Sequence, residues 1–317
     1  MLYIASKPLA VWFPSSGATP ESSPMDRVFL IVLILAALYV LFRRKFPWSS
    51  AIKGNIWVIF LLGYMLASVL WSHIPGTAII RWVRELEAVL MAFVVLSELK
   101  PRQALEGILR RTTYILIPFS VLLIRYFPKY GVQYGRWSGA QSWIGVTLQK
   151  NGLGRLCLIA IFFLFWSLVR RRQGHNPPVW KYQTIMELTI LAMALWLLKG
   201  PGVGAYSATA VVALFVGLFV YAGLALLRKF DISITAGPLM AIVSIFIIFG
   251  ILTLFTGASA VGSIAPSIGR DATLTDRTEV WRTLLPIAMK HPILGHGFGS
   301  FWTPRTRELF MISEGHN

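Results

Sequence analysis

Residues 26–42 read DRVFLIVLILAALYVLF, and three basic residues, Arg43, Arg44 and Lys45, follow directly. A run this apolar is nearly long enough to cross a membrane as a helix, which takes about 20 residues. The cations mark its inner end, because Lys and Arg are enriched in the cytoplasmic loops of membrane proteins. The stretch therefore predicts a membrane-spanning helix that starts outside and ends in the cytoplasm.

The composition of the 317-residue chain points to the same class of protein. Hydrophobic residues make up 56% of the chain and charged residues 14%, whereas a soluble domain carries about 25% charged residues. These values exclude a soluble enzyme, a disordered protein and a coiled coil. The net charge of +17 fits basic loops beside membrane helices, so nucleic acid is not expected as a partner. The single Cys157 excludes an intrachain disulfide, and no Cys/His cluster has zinc-like spacing.

About eight segments are apolar enough to be candidate spans, and basic loops follow every second one. This alternation places those loops in the cytoplasm by the positive-inside rule. We therefore predict an all-α, polytopic transmembrane helical bundle. It has an N-terminal extracytoplasmic segment or partial helix (1–25), a transmembrane domain (26–256) and an extracytoplasmic loop (257–317). The candidate spans are 26–42, 55–72, 78–98, 112–127, 151–169, 185–199, 204–227 and 237–256.

The last 61 residues are too polar to span a membrane and predict one amphipathic helix, from about residue 276 to 290. Asp276 and Glu279 have the spacing of a capping box, and Pro286 predicts a kink. On a helical wheel, Arg277 falls among the apolar residues. An arginine there either snorkels to the membrane surface or points into a cavity, where its planar fork can bind phosphate. The predicted apolar face comprises Val280, Trp281, Leu284, Leu285 and Ala288.

The same region carries a set of short motifs. They are Thr275-Asp276-Arg277 with Trp281, the turn from Pro292 to Gly299, and His316-Asn317 at the end of the chain. Upstream, Gly145-Val146-Thr147 is followed by Lys150-Asn151, and Ser207-x-Thr209 lies in the seventh span. Together these residues resemble the O-antigen ligase and Wzy polymerase superfamily, most of all its exopolysaccharide-production (ExoQ-type) branch. Ligase members often have an arginine beside the serine of the seventh span, where this chain has Ala208, and this favours the polymerase-like branch.

The resemblance implies a fold similar to the GT-C glycosyltransferases and a membrane glycan transferase. Its donor would be a glycan on undecaprenyl pyrophosphate, and its acceptor a hydroxyl of a glycan or lipid at the outer face of the bacterial inner membrane. Arg277 would grip the donor pyrophosphate and His316 would act as general base. Such a transfer needs cations for the leaving phosphate but no metal or other cofactor. Further substrate-binding candidates on the predicted outer side are Arg270, Arg282, Arg136, Lys150 and Asn151.

Two other functions stay open at this point. The outer-face cations would equally serve a transporter of an anionic, lipid-linked substrate. The motif of the superfamily normally continues beyond His-Asn into further membrane helices, whereas this sequence stops at Asn317. The chain is therefore expected to be either a fragment of a longer enzyme or a truncated protein, inactive or acting as a scaffold subunit.

Overall fold

The computed structural model describes residues 6, 9–12, 23–134, 141–174, 180–202, 206–229, 284–292, 294–301 and 303. Within these residues the chain is mainly helical, as predicted, and its only sheet is a short hairpin. A 3₁₀ turn, Ser68–Trp71, follows α4, and residues 284–288 are also helical. The helices are α1 (Leu9–Trp12), α2 (Pro24–Arg43), α3 (Trp48–Gly54), α4 (Ile56–Ala67), α5 (Pro75–Leu96), α6 (Pro101–Tyr126), α7 (Pro128–Gly131), α8 (Lys150–Arg172), α9 (Gln183–Lys199) and α10 (Ala208–Lys229).

Seven of the eight predicted spans coincide with helices, namely α2, α4 with its 3₁₀ turn, α5, α6, α8, α9 and α10. The eighth, 237–256, lies outside the described residues. Helix α2 has a capped N-terminus. Ser23 accepts a hydrogen bond from the backbone N–H of Asp26 through its side chain, and Pro24 occupies the first helical position, where its missing N–H costs nothing.

The chain is a multi-pass membrane protein. By length and composition, α2, α6, α8 and α10 could each cross a membrane. Helix α3 and the segment from Ile56 to Trp71 would make a fifth span if counted together, although an 88° bend separates them. Helix α5 carries four charged residues near its start, and the 17 residues of α9 reach about 25 Å, short of the roughly 30 Å hydrocarbon core. Spans at these two helices therefore stay predictions.

Between the predicted spans 112–127 and 151–169, the described residues contain regular structure. Strands β1 (Val132–Tyr134) and β2 (Gln141–Trp143) pair antiparallel, with Val132 opposite Trp143 and Tyr134 opposite Gln141. Three-residue strands escape a search for alternating hydrophobicity because the pattern needs four or more residues to be visible.

The chain forms two compact units, one of residues 1–111 with 283–317 and the other of residues 112–282. In the first unit, α2 packs against α5 through Ala37, Leu41, Leu90 and Phe93. In the second, α8 packs against α9 and α10, and Cys157, Leu164 and Ala194 are among the fully buried side chains.

Candidate functional site

The segment LGHGFG, residues 294–299, forms a turn that only glycine can follow without strain. Gly295, Gly297 and Gly299 have φ angles of +64°, +85° and +64°. Side chains with a Cβ rarely adopt this left-handed region, whereas glycine does so readily. The glycines of the motif from Pro292 to Gly299 therefore have a backbone reason, and we call residues 294–299 the glycine-rich turn.

The start of the glycine-rich turn is held through the backbone carbonyl of Leu294. The Tyr64 hydroxyl and the Trp71 indole N–H both donate to the backbone oxygen of Leu294, at 3.2 and 3.1 Å. The two donor rings also lie beside each other, with centroids 6.2 Å apart. Because both donors lie at the C-terminal part of α4 and its 3₁₀ turn, this end of the turn is fixed to one short stretch of chain.

The far end of the glycine-rich turn is held by a serine and an arginine. The backbone N–H of Phe298 donates to the hydroxyl of Ser68 at 2.8 Å, and Ser68 is buried. The Arg81 guanidinium, on α5, donates to the carbonyl of Gly299. A charge at the depth of a membrane helix is costly and needs partners, and this contact provides a partner for one of the four charged residues of α5.

Three histidine rings come together at the glycine-rich turn. The His296 ring lies 4.8 Å from the His291 ring and 6.2 Å from the His73 ring, measured between centroids. Nε2 of His296 is 3.0 Å from the carbonyl oxygen of Ile287, so this nitrogen carries the proton. Among the described residues, no group of three or more His, Cys, Asp or Glu side chains is arranged to hold a metal ion.

The structure describes the second half of the predicted C-terminal helix. Residues 284–288 are helical, and of these Leu284 is buried. Leu285, which the wheel placed on the same face, is 53% exposed. Pro286 lies inside this short helical stretch. Residues 276–283 lie outside the described part of the chain.

In the second unit, the Gly145-Val146-Thr147 segment packs against α6. Gly145 has φ +51°, and a Cβ there would lie 2.7 Å from that of Ser120. The Ser120 hydroxyl accepts from the N–H of Val146 at 3.3 Å and donates to the carbonyl of Leu116 at 2.7 Å. Thr147 donates to the carbonyls of Ile144 and Gln149. These bonds fix the chain directly before α8.

The first turn of α8 meets the segment before α10, which joins the two upstream motifs of the sequence. The Ser207 hydroxyl donates to Oδ1 of Asn151 at 3.2 Å. Lys150 and Ser207 line a small crevice together with Trp143 and Tyr206. A half-buried ammonium group at such a crevice can bind an anionic oxygen.

The structure thus describes two of the predicted site residues, Lys150 and Asn151, and places them side by side at the start of α8. The remaining predictions lie outside the described residues, namely Arg277, His316, Arg270, Arg282 and Arg136. The sequence search missed Ser68, Tyr64 and Trp71, since ordinary polar and aromatic residues near a helix end give no signal of their own. Arg81 does carry a sequence signal, because it is a cation within the predicted span 78–98.

A second feature that the sequence did not reveal is a buried carboxylate between α8 and α9. Glu187 is fully buried and forms an ion pair with Arg171 at 3.1 Å. It also accepts hydrogen bonds from the Tyr114 hydroxyl at 2.7 Å and from the Gln183 amide at 3.0 Å. Arg171 further donates to Thr184 at 2.8 Å. A buried charge is tolerated only when it has such partners, and Glu187 has them.

The comparison with protein families bears on the second half of the chain. Residues 193–316 match the O-antigen ligase family. This match covers less than half of the chain. The chain also aligns with the exopolysaccharide production protein ExoQ of Rhizobium meliloti (strain 1021), at 22% identity over 260 residues. The alignment covers 82% of this chain and 55% of the relative, so the chain spans about half the length of that curated protein. No solved structure matches the chain.

The matched region includes the glycine-rich turn, Ser207 and the positions of Arg277 and His316. It begins inside α9, whereas Ser68 and Arg81 lie well before it. The hydrogen bonds from Ser68 and Arg81 to the glycine-rich turn therefore connect the matched region with a part of the chain that the match does not cover. The match over residues 193–316 agrees with the resemblance inferred from the motifs.

Proposed function

We propose that this protein takes part in joining a lipid-linked glycan to an acceptor hydroxyl, as a ligase or polymerase of exopolysaccharide or O-antigen assembly. The observation that carries the proposal is the family match over residues 193–316, which contains the glycine-rich turn and both predicted catalytic residues. The name of the ExoQ relative supports exopolysaccharide as the product class.

The proposed reaction takes place at the outer face of the bacterial inner membrane, with residues 257–317 facing the periplasm. The donor is a glycan carried on undecaprenyl pyrophosphate. The acceptor oxygen attacks the anomeric carbon, the bond from this carbon to the phosphate oxygen breaks, and the lipid pyrophosphate leaves. The acceptor proton passes to His316, whose imidazole suits general base catalysis near neutral pH.

Cations are the other requirement of this chemistry, because negative charge develops on the departing pyrophosphate. Arg277 is the proposed principal ligand of this group, since a guanidinium binds phosphate oxygens with two parallel hydrogen bonds. Arg270, Arg282 and Arg136 are proposed to add positive charge. Lys150 is proposed to bind the donor, and the hydrogen bond that Ser207 gives to Asn151 fixes the helical turn that carries this lysine.

The deciding experiment replaces Arg277 by Ala and, separately, by Lys in the complete protein, expressed in a strain that lacks it. We expect Arg277→Ala to abolish polymer formation and to leave lipid-linked donor unused in the membrane. Arg102→Ala serves as the control, because Arg102 is an exposed arginine at the start of α6. Normal polymer from a stably inserted Arg277→Ala protein would rule out the role.

The transporter hypothesis predicts a different result from the transferase hypothesis in reconstituted vesicles. A transporter moves lipid-linked glycan across the bilayer without forming a glycosidic bond. The proposed transferase forms longer or newly linked glycan from donor and acceptor on the same side. A scaffold subunit does neither and stays functional when Arg277 and His316 are both replaced.

A further inference from the structure

The glycine-rich turn lies in the sequence between the two proposed catalytic residues, Arg277 and His316. Its first residue follows Arg277 by 17 positions, and its last precedes His316 by 17. The turn therefore lies midway, in sequence, between these two residues. The contacts that hold the turn come from a part of the chain more than 200 residues earlier.

Two of the three glycines have a steric reason beyond their φ angles. A Cβ on Gly299 would lie 2.6 Å from Cδ of Arg81, and one on Gly297 would lie 2.8 Å from the backbone oxygen of Ser68. A Cβ on Gly295 would meet nothing within 4 Å, although its φ is as positive as that of Gly299. The turn is thus shaped for close approach to Arg81 and Ser68 in particular.

Arginine suits this contact better than a neutral side chain. Its planar fork offers five N–H donors in fixed directions, so one side chain can bind the Gly299 carbonyl and still satisfy other acceptors. The side chain of Arg81 is half-buried on α5. A donor on a long helix is held more rigidly than a donor on a loop. Arg81 is therefore suited to position a catalytic segment.

We propose that Arg81 is a positioning residue of the transfer reaction, holding the glycine-rich turn through the Gly299 carbonyl, with Ser68 as its second anchor. This inference rests on the proposed function, because it assigns Arg81 a role in the reaction carried out by Arg277 and His316. Arg81 acts through the turn and not by binding the donor itself. Loss of Arg81 therefore slows the chemical step and leaves donor affinity nearly unchanged.

The test measures initial rates against the concentration of lipid-linked donor, with the complete protein reconstituted in proteoliposomes. For Arg81→Met we expect kcat to fall about 10- to 100-fold, since a displacement of about 1 Å can cost that much, while KM for the donor stays within about twofold. Arg81→Lys recovers part of kcat because it restores one donor. Ser68→Ala, which removes only a hydroxyl, lowers kcat in the same direction but less.

Limited trypsin cleavage after the exposed Lys290 reports docking of the turn independently of activity. We expect faster cleavage in Arg81→Met and in Ser68→Ala than in the native protein. If Arg81→Met fails to insert stably, the Ser68→Ala and Arg81→Lys proteins decide the question by the same two readouts.

Three results would overturn the positioning role. One is unchanged kcat in Arg81→Met and Ser68→Ala. Another is a rise in KM alone in Arg81→Met, which would show direct donor binding. The third is unchanged cleavage after Lys290 in both variants. Arg277→Ala, measured in the same preparation, separates failure of the positioning role from failure of the proposed function. If Arg277→Ala is fully active, the function is wrong; if it is inactive while Arg81→Met is normal, only the positioning role is wrong.

Discussion

Ser207 and Gly154 meet with almost no space between them, where the chain entering α10 crosses the first turns of α8. A Cβ added to Gly154 would lie 2.5 Å from Cβ of Ser207 and 3.0 Å from that of Ala210. The same serine donates to Asn151 one helical turn earlier. A small residue at 154 is thus what allows the two upstream motifs of this protein to come together.

Gly154→Ala is expected to destabilise the protein by about 1–3 kcal/mol, the usual cost of overpacking. The control is Gly107→Ala in α6, where an added Cβ meets nothing within 4 Å. That change is expected to be neutral or to stabilise by about 0.4–1 kcal/mol, because alanine loses less backbone entropy in a helix. Thermal unfolding in detergent measures both. Equal stability of the two variants would contradict the close packing.

Removing one partner of the Arg171–Glu187 ion pair is expected to cost about 3–5 kcal/mol, because an uncompensated charge stays buried. Glu187→Gln should therefore lower the unfolding temperature sharply. The double variant Arg171→Met/Glu187→Leu should be less destabilised than either single charge removal. Denaturation of the purified proteins in detergent gives this order.

The exposed ion pair Arg44–Glu98 is the matched control for this prediction. Its side chains are 34% and 41% exposed, and their N–O distance is 2.7 Å. Water and salt screen such a pair, so Glu98→Gln should cost only about 0–1 kcal/mol. A loss as large as that of Glu187→Gln would mean that burial is not what separates the two pairs.

Gly299→Ala is expected to be more harmful than Gly295→Ala, although both place a Cβ at a φ of +64°. Each change carries the strain of the left-handed conformation, about 1–2 kcal/mol. Only the former also collides with Arg81. Unfolding temperature and polymer formation should both follow this order.

Combining Gly299→Ala with Arg81→Ala should give a smaller loss of stability than the sum of the two single changes, because the collision is absent once the arginine is shortened. Such a double-mutant cycle measures the coupling of the two positions. Strict additivity would show that the collision is relieved in some other way.

Lys150→Met is expected to raise KM for the lipid-linked donor about 10-fold with a smaller effect on kcat, if the ammonium binds the donor in both the ground and transition states. Lys199→Met is the control, since Lys199 is an exposed lysine at the end of α9. Rates measured against donor concentration separate the two parameters. An unchanged KM would remove Lys150 from the donor site.

The predicted orientation can be tested by labelling with a membrane-impermeant maleimide. The native Cys157 is fully buried and should stay unlabelled. Gly202→Cys, in the exposed turn after α9, should react in intact spheroplasts. Gln173→Cys, exposed after α8, should react only after permeabilisation. The opposite pattern would invert the orientation derived from the basic loops.

The class of the protein and most of its helices could be predicted from the sequence, because span length and charge bias are local properties. Residues 150–172 illustrate this, being an apolar run closed by three arginines that becomes α8. The bend before α4 could not be predicted, nor could the β1–β2 hairpin, because both depend on a few residues without a repeating pattern.

The candidate site divides in the same way. The sequence by itself determined the family motifs, including the glycine-rich turn and the Lys150-Asn151 and Ser207 segments, since these depend on residue identity and spacing. Only the tertiary structure decided that Arg81 and Ser68 bind that turn, that Ser207 binds Asn151, and that Glu187 is buried against Arg171. The physical reason is distance along the chain. Local patterns report propensity and burial, whereas a hydrogen bond between residues separated by up to 230 positions exists only once helices have packed.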